Sequence, residues 1–153
     1  MTITTALLID HPEAIEPLVA LFETEWADWY NPQGASARSD LSERARRNGL
    51  PLGIVAMRDE AVLGTCAIMA SSGGLVTERS PWLGGLLVDP AHRRQGVAAA
   101  LLARAGREAG WLGYRRLYGL TAEASALFES QGWRMIDTID VDRRPHRVFA
   151  IPL

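Results

Sequence analysis

The chain has 153 residues, 48% of them hydrophobic and 22% charged, the size and make-up of one compact domain spanning 1–153, which excludes collagen-like, disordered and membrane-spanning classes. Sixteen Lys and Arg against 18 Asp and Glu leave a formal net charge of −2, so no global positive field attracts nucleic acid or an anionic membrane, and any anion site has to be local. The lone Cys66 excludes an intramolecular disulfide and a multi-thiolate zinc site, and the opening MTITTALLID lacks the basic and long apolar regions of a signal peptide, so a reducing, cytoplasmic setting is expected.

Residues 2–9 are rich in Thr, Ile and Leu and predict a strand, and Asp10-His11-Pro12 predicts a helix start with Asp10 as N-cap. Ile15, Leu18, Val19, Phe22 and Trp26 recur at helical spacing and carry that helix to Trp29, where Asn31-Pro32-Gln33-Gly34 breaks it. Residues 36–48 hold Arg38, Glu43, Arg44, Arg46 and Arg47 with Leu41 and Ala45 as apolar contacts, the pattern of a short, mostly solvated helix. The period then changes. Residues 52–57 and 62–71 are apolar and β-branched around Arg58-Asp59-Glu60-Ala61, which predicts a hairpin, and residues 71–81 form a loop. A third apolar run, 82–88, stops at Asp89-Pro90 because Pro90 cannot continue a ladder. Helical spacing returns over 96–110, with Val97, Leu101, Leu102, Ala105 and Ala109 on one face. A short strand at 117–120, a helix at 122–130 stopped by Gly132, and a strand pair 133–141 and 148–151 around Asp142-Arg143-Arg144-Pro145 complete the chain.

The segment Leu86 to Leu102 carries chemistry. A strand, LLVDP, runs into AHRRQGVAAALL, which places Arg93, Arg94, Gln95 and Gly96 at the start of a helix. The first N–H groups of a helix have no internal partner, and the helix dipole adds partial positive charge there, so main chain alone can cradle a phosphate. Gly96 and Ala98 let that backbone come close, and Arg93 and Arg94 add charge-assisted hydrogen bonds, so a pyrophosphate fits the segment. Gly84 and Gly85 suit a strand that bulges or admits close backbone approach.

This string resembles motif A of the GNAT-superfamily N-acetyltransferases, a strand ending in V-x-P followed by [QR]-x-x-G-x-[GA], with Arg93, Gly96 and Ala98 at the defined positions. The segment Phe128-Glu129-Ser130-Gln131-Gly132-Trp133 is similar to the [FY]-Y-E-x-x-G-[FW] phrase of the family's motif B. The resemblance implies an α/β (α+β) fold with a mixed, mostly antiparallel central sheet of about seven strands flanked by about four helices. It implies acetyl-CoA as co-substrate, with Leu86, Leu87 and Val88 on the pantetheine and Arg93, Arg94, Gln95, Gly96, Val97, Ala98 and Ala99 at the phosphates; no metal is expected.

Two departures bear on mechanism. Phe128 stands where the family commonly has a Tyr that protonates the leaving thiolate; its phenyl ring can pack against the acyl-CoA arm but has no proton to give. Thr121 stands where an Asn is often found. Water, Ser125 or Tyr118 are the substitutes for the acid. The resemblance implies direct attack by an amine in a ternary complex, which also needs an oxyanion donor, for which a backbone N–H at Leu87 or Val88 is the candidate, and a base. Residues 82–88 contain no carboxylate, so Glu25, Asp28 and Glu78 are the base candidates, ahead of His92 and His146; Cys66 reads as a small core residue.

Five tryptophans are a heavy allocation. Trp29, Tyr30 and Trp82 are expected to line the acceptor site by stacking or by holding an ammonium group, and Trp26, Trp111 and Trp133 to be architectural. The function expected is acetyl transfer to a primary amine of a small molecule or peptide, with a non-catalytic acyl-CoA-binding or sensor module as the alternative. Scattered arginines on an acidic chain argue against a nucleic-acid partner, and edge strands near the C-terminus suit a monomer or a homodimer.

Overall fold

Strands β2 (Leu52–Arg58) and β3 (Ala61–Met69) are buried along almost their whole length, because the sheet they belong to is covered on both faces. Side chains of β2 divide by parity: Leu52, Ile54 and Ala56 join one apolar cluster, Val55 and Met57 the other. The structure is a computed structural model that describes residues 2–72 and 75–153; the Gly73-Gly74 part of the expected loop lies outside the described residues.

The sheet has seven strands in the order β1-β2-β3-β4-β5-β7-β6, completed by β1 (Thr4–Leu7), β4 (Trp82–Val88), β5 (Arg116–Thr121), β6 (Arg134–Val141) and β7 (Arg144–Pro152). Every neighbouring pair is antiparallel except β4 and β5, which are parallel and joined by helix α3 (Val97–Trp111). This is the mixed, mostly antiparallel sheet that the resemblance implies. Val97, Leu101, Leu102, Ala105 and Ala109 pack α3 onto one face, together with Phe128 of α4 (Ser125–Ser130). The other face is covered by α1 (Ile15–Glu25) and α2 (Ala37–Glu43) through Leu18, Phe22 and Leu41.

The expected boundaries shift where side chains find other partners. The first strand ends at Leu7, and two 3-10 turns, Leu8–Asp10 and Pro12–Ala14, precede α1, so Asp10 caps no helix; its carboxylate pairs with Arg47. Helix α1 stops at Glu25, short of Trp29, yet Trp26 and Tyr30 stay packed on Phe22, with ring centroids 4.9 and 5.3 Å away. Ser36 caps α2 by accepting from the Ser39 N–H at 3.1 Å, and α2 ends at Glu43. Helix α4 begins at Ser125, later than expected, because the Thr121 hydroxyl accepts from the Ala124 N–H at 2.7 Å and closes a turn first. Strand β7 begins at Arg144, since Asp142 and Arg143, both at positive φ, make a two-residue hairpin turn; Pro145 sits where β7 has only β6 as a partner. Among the described residues no helix is long and apolar enough to cross a membrane.

Phe128 stacks on Phe149 at 5.2 Å and meets Trp133 edge-on at 4.9 Å, and the tip of its ring rests on Gly119 of β5. A Cβ on Gly119 would lie 2.5 Å from the Phe128 ring. Gly119→Ala is therefore expected to destabilise the fold by about 1–3 kcal/mol. Gly106→Ala, on α3 with nothing nearer than 3.9 Å, is expected to stabilise it by about 0.5–1 kcal/mol. Urea midpoints at unchanged m-value check both.

Candidate functional site

Parallel pairing of β4 with β5 covers only Trp82 with Tyr118 and Leu83 with Gly119, after which the strands diverge. Opposite β3, the register slips between Thr65 and Ala67, so Cys66 faces both Gly85 and Leu86 in a β-bulge. Gly85 adopts φ +59°, a conformation an L side chain rarely takes. The gap between the strands opens into a cleft of about 520 Å³, walled by Leu86, Leu87 and Val88, by Arg93, Arg94 and Gly96, by Val97, Ala98 and Ala99, and opposite them by Ala124 and Leu127.

Residues 93–99, expected at the phosphates, form the loop that enters α3 and its first turn. Asp89 accepts from the Ala91 N–H at 3.0 Å and closes a 3-10 turn, Pro90–His92. Arg94 at φ +62° and Gly96 at φ +86° then reverse the chain into α3. Gly96 offers no capping side chain, the first intrahelical bond runs from the Ala100 N–H to the Gly96 carbonyl, and the first turn holds no acidic residue. The N–H groups of Val97, Ala98 and Ala99 are therefore left for a guest at the positive end of the helix dipole. Arg93 donates from Nη2 to Glu25 Oε1 at 2.9 Å, and Arg94 makes no salt bridge among the described residues. Arg58, at the end of β2, donates to Gln95 Oε1 at 3.0 Å and ties the loop to the β2–β3 hairpin.

Nine of the eleven expected cofactor-binding residues line the cleft, and two do not. The Gln95 side chain is turned toward Arg58. Phe128 is 3% exposed inside the aromatic cluster described above, so its ring belongs to the core and has no face for an acyl-CoA arm. Of the catalytic candidates, Leu87 lines the cleft, but the others are held elsewhere. Glu25 is engaged by Arg93 beside the phosphate loop, Ser125 Oγ accepts from Arg147 Nη1 at 3.0 Å, and Glu78 is exposed ahead of β4. His92 lines the cleft half-buried, whereas His146 lies on β7 with Nδ1 2.9 Å from the Arg144 carbonyl oxygen.

On the other side of the bulge lies a second basin of about 360 Å³, walled by Trp26, Trp29, Tyr30, Asp40, Arg44, Met69, Ser71, Ser72, Gly84 and Gly85. A cavity of about 220 Å³ adjoins it and shares Asp40, Arg44, Met69 and Ser71. Trp29, 65% exposed, and Tyr30 are thus both in the basin wall, joined by Trp26, which was expected to be architectural. Trp82 is not: it is fully buried, its indole N–H donates to the Arg79 carbonyl at 2.6 Å, and its ring packs on Tyr118 at 5.5 Å, so it props β4 from behind. Trp133 is core as expected, but Trp111 is 89% exposed at the end of α3.

Arg44 is the residue that the composition of its segment concealed. It is 8% exposed, with its guanidinium carbon 5.6 Å from the centroid of the Phe22 ring. The signal was helical register, since Ala37, Leu41 and Arg44 fall at i, i+4 and i+7 and all three are buried. Tyr30 donates its hydroxyl to Asp40 Oδ2 at 2.8 Å; burial, then the Asp40 hydrogen bond and charge, pushes the phenol up to about 12, against a smaller opposing pull from the neighbouring Arg44 guanidinium, and keeps it a neutral donor. Among the described residues, no group of three or more His, Cys, Asp or Glu is placed to hold a metal ion.

The acetyltransferase (GNAT) domain family model matches residues 52–135. Among solved structures, an aminoglycoside 6'-N-acetyltransferase complexed with coenzyme A superposes with a TM-score of 0.78 at 14% identity, covering 99% of this chain and 97% of that one. An N-acetyltransferase from Staphylococcus aureus Mu50 gives 0.75 at 19% identity, covering 99% of each chain. YncA from Salmonella typhimurium, with its cofactor acetyl-CoA, gives 0.70 at 17% identity, covering 99% of this chain and 94% of that one. A comparison with curated protein sequences found no match.

Burial pushes the Cys66 thiol up to about 12, and its Sγ–H points to the Leu101 carbonyl at 3.8 Å. A buried thiol so far from ionisation is a poor nucleophile. Native protein is expected to resist a thiol-specific aromatic disulfide reagent at pH 8 and to react stoichiometrically once unfolded in urea.

Proposed function

The chain belongs to the GNAT acetyltransferase family, and on that premise we propose that it transfers an acetyl group from acetyl-CoA to a primary amine of a small molecule or peptide by direct attack in a ternary complex. The observation that carries this reading is the splayed β4–β5 cleft, which ends on the uncapped N-terminus of α3. The pyrophosphate is assigned to the N–H groups of Val97, Ala98 and Ala99, with Arg93 and Arg94 adding charge-assisted hydrogen bonds. The pantetheine runs along the β5-facing edge of Leu86 to Val88, where main-chain groups lack a strand partner, and Ala124 and Leu127 pack against it from the far wall.

The bulge at Gly85 and Leu86 separates this cleft from the aromatic basin, so the thioester is assigned to the bulge and the amine to the basin, with Trp29 and Tyr30 in its wall. A backbone N–H at Leu87 or Val88 supplies the oxyanion donor. Glu25 has its charge taken up by Arg93, the carboxylate in the basin wall is Asp40 and Glu43 lines only the adjoining cavity, so the amine's proton passes to Asp40 or to water. Thiolate departure is assigned to solvent, because Phe128 is a core residue and neither Ser125 nor Tyr118, whose ring packs on Trp82, lines the cleft.

A non-catalytic acyl-CoA-binding module remains the second reading, favoured by the absence of a hydroxyl from Phe128 and its place in the core. Release of free coenzyme A thiol from acetyl-CoA across a panel of primary amines separates the two. Turnover supports the enzyme, and tight acetyl-CoA binding without turnover on any amine overturns it. Arg94→Ala is expected to weaken coenzyme A binding by about tenfold and to reduce its salt dependence, measured by calorimetry at two ionic strengths. Glu25→Gln is expected to tighten coenzyme A binding several-fold by freeing Arg93 and removing a carboxylate from the anion site, with kcat retained. A fall in kcat of about 100-fold or more would instead make Glu25 the base.

A further inference from the structure

The structure assigns Arg44 as an acceptor-recognition residue, and we propose that the amine acetylated here also carries a carboxylate, which the Arg44 guanidinium binds. This rests on the reading above, in which the basin beyond the β4 bulge receives the acceptor. Arg44 is more than nine-tenths buried and stands in the wall of both adjoining cavities, yet among the described residues it makes no salt bridge and its Nη1 has no hydrogen-bond partner. A guanidinium has five donors in a planar fork and never loses its charge, so leaving one unpaired away from water is costly unless a ligand completes it.

The surroundings hold the guanidinium in this position. Its stem runs over Gly53, whose added Cβ would lie 3.0 Å from Arg44 Cβ, and its tip abuts Gly85, whose added Cβ would lie 2.6 Å from Nη1. Phe22 takes one face of the charge by a cation–π contact. Asp40, the nearby carboxylate in the same wall, is engaged by the Tyr30 hydroxyl and does not pair with Arg44. The cation therefore sits beside the very strand segment assigned to the thioester, with an aromatic and methionine wall of Trp26, Trp29, Tyr30 and Met69 around it. An α-amino acid with an apolar side chain fits this arrangement: carboxylate on Arg44, side chain on the aromatic wall, amine toward the bulge. A polycationic acceptor brings no anionic group to complete the Arg44 guanidinium.

The test uses the full chain, acetyl-CoA and acceptor pairs that differ only in the carboxylate, L-phenylalanine and L-leucine against phenylalaninamide and leucinamide, with thiol release as readout. A carboxamide lowers the basicity of the neighbouring amine and leaves more neutral nucleophile, so any preference for the acid has to come from binding. The acids are expected to show kcat/KM at least about tenfold above the amides, an advantage that Arg44→Gln removes and Arg44→Lys restores only in part. Amides turned over as well as the acids by the unmodified protein, or an acid preference that survives in Arg44→Gln, overturns the proposal. Thermal midpoint and coenzyme A affinity of each variant separate a lost fold from a lost subsite, and if Arg44→Gln does not fold, the acid-to-amide ratio of the unmodified protein decides. If no amine is acetylated, the enzyme reading fails separately. The subsite is then read by calorimetry with N-acetyl-L-phenylalanine and its amide on protein saturated with coenzyme A: tighter binding of the acid supports Arg44, and equal binding overturns it.

Discussion

Backbone pairing between β4 and β5 ends at Leu83 and Gly119, and the N–H and C=O groups beyond that point need other partners. Parallel strands cannot be joined by a hairpin, so the chain crosses from the end of β4 to the start of β5 through α3. That crossover necessarily sets the N-terminus of α3 at the mouth of the gap. One topological requirement thus delivers both halves of a binding cleft, an unpaired strand edge and a set of unpaired helix N–H groups. The bulge at Gly85 adds the third element, because it turns β4 so that Leu86 to Val88 face the cleft while Gly84 and Gly85 face the basin.

The two ends of this continuous surface are built on different principles. At the loop, charge comes from main-chain dipoles and from arginines such as Arg93 with half its side chain in solvent, where a slight negative net charge of the whole chain matters little. At the basin, charge comes from a largely buried side chain, where each contact is stronger and each missing one more expensive. The first arrangement suits a ligand whose phosphates are the same in every turnover. The second suits discrimination between acceptors, since a buried donor left unpaired by the wrong ligand is costly and one matched by the right ligand is not.

Legibility in the sequence followed how local each feature is. Strand β4 was readable to the residue because an apolar run lies between Pro81 and Asp89-Pro90, and the loop into α3 because a turn that ends in a helix start depends on glycine placement within a few positions. Phe128 and Trp82 were placed at the cofactor and acceptor by their position in motif and strand, but the side each ring faces is decided elsewhere. Gly119 leaves the space that Phe128 fills, and Tyr118 and the Arg79 carbonyl hold Trp82 inward. Glu25 lies far along the chain from Arg93, and no periodicity announces their pairing. Arg44 looked solvated because Glu43, Arg46 and Arg47 surround it, although its register with Ala37 and Leu41 already pointed inward.

Burial of Arg44 is hard to explain as a source of stability. A guanidinium removed from water and left without a carboxylate is a net cost, and a hydrocarbon side chain of similar volume would fill the slot between Gly53 and Gly85 without that cost. The Phe22 ring offsets part of the penalty, and the remainder is discharged only when an anion enters the basin. A ligand that binds the folded state alone stabilises it in proportion to its affinity, so the missing interaction of the free protein becomes binding energy for the acceptor. The bulge places that interaction next to the strand segment assigned to the reacting carbonyl. Special backbone and incomplete pairing therefore meet at one point of the sheet, where Gly85 takes the left-handed conformation open to glycine and Arg44 leaves its Nη1 without a partner, and the cost of the latter is tolerable because the surrounding β2–β3 core, buried on both faces, carries the stability.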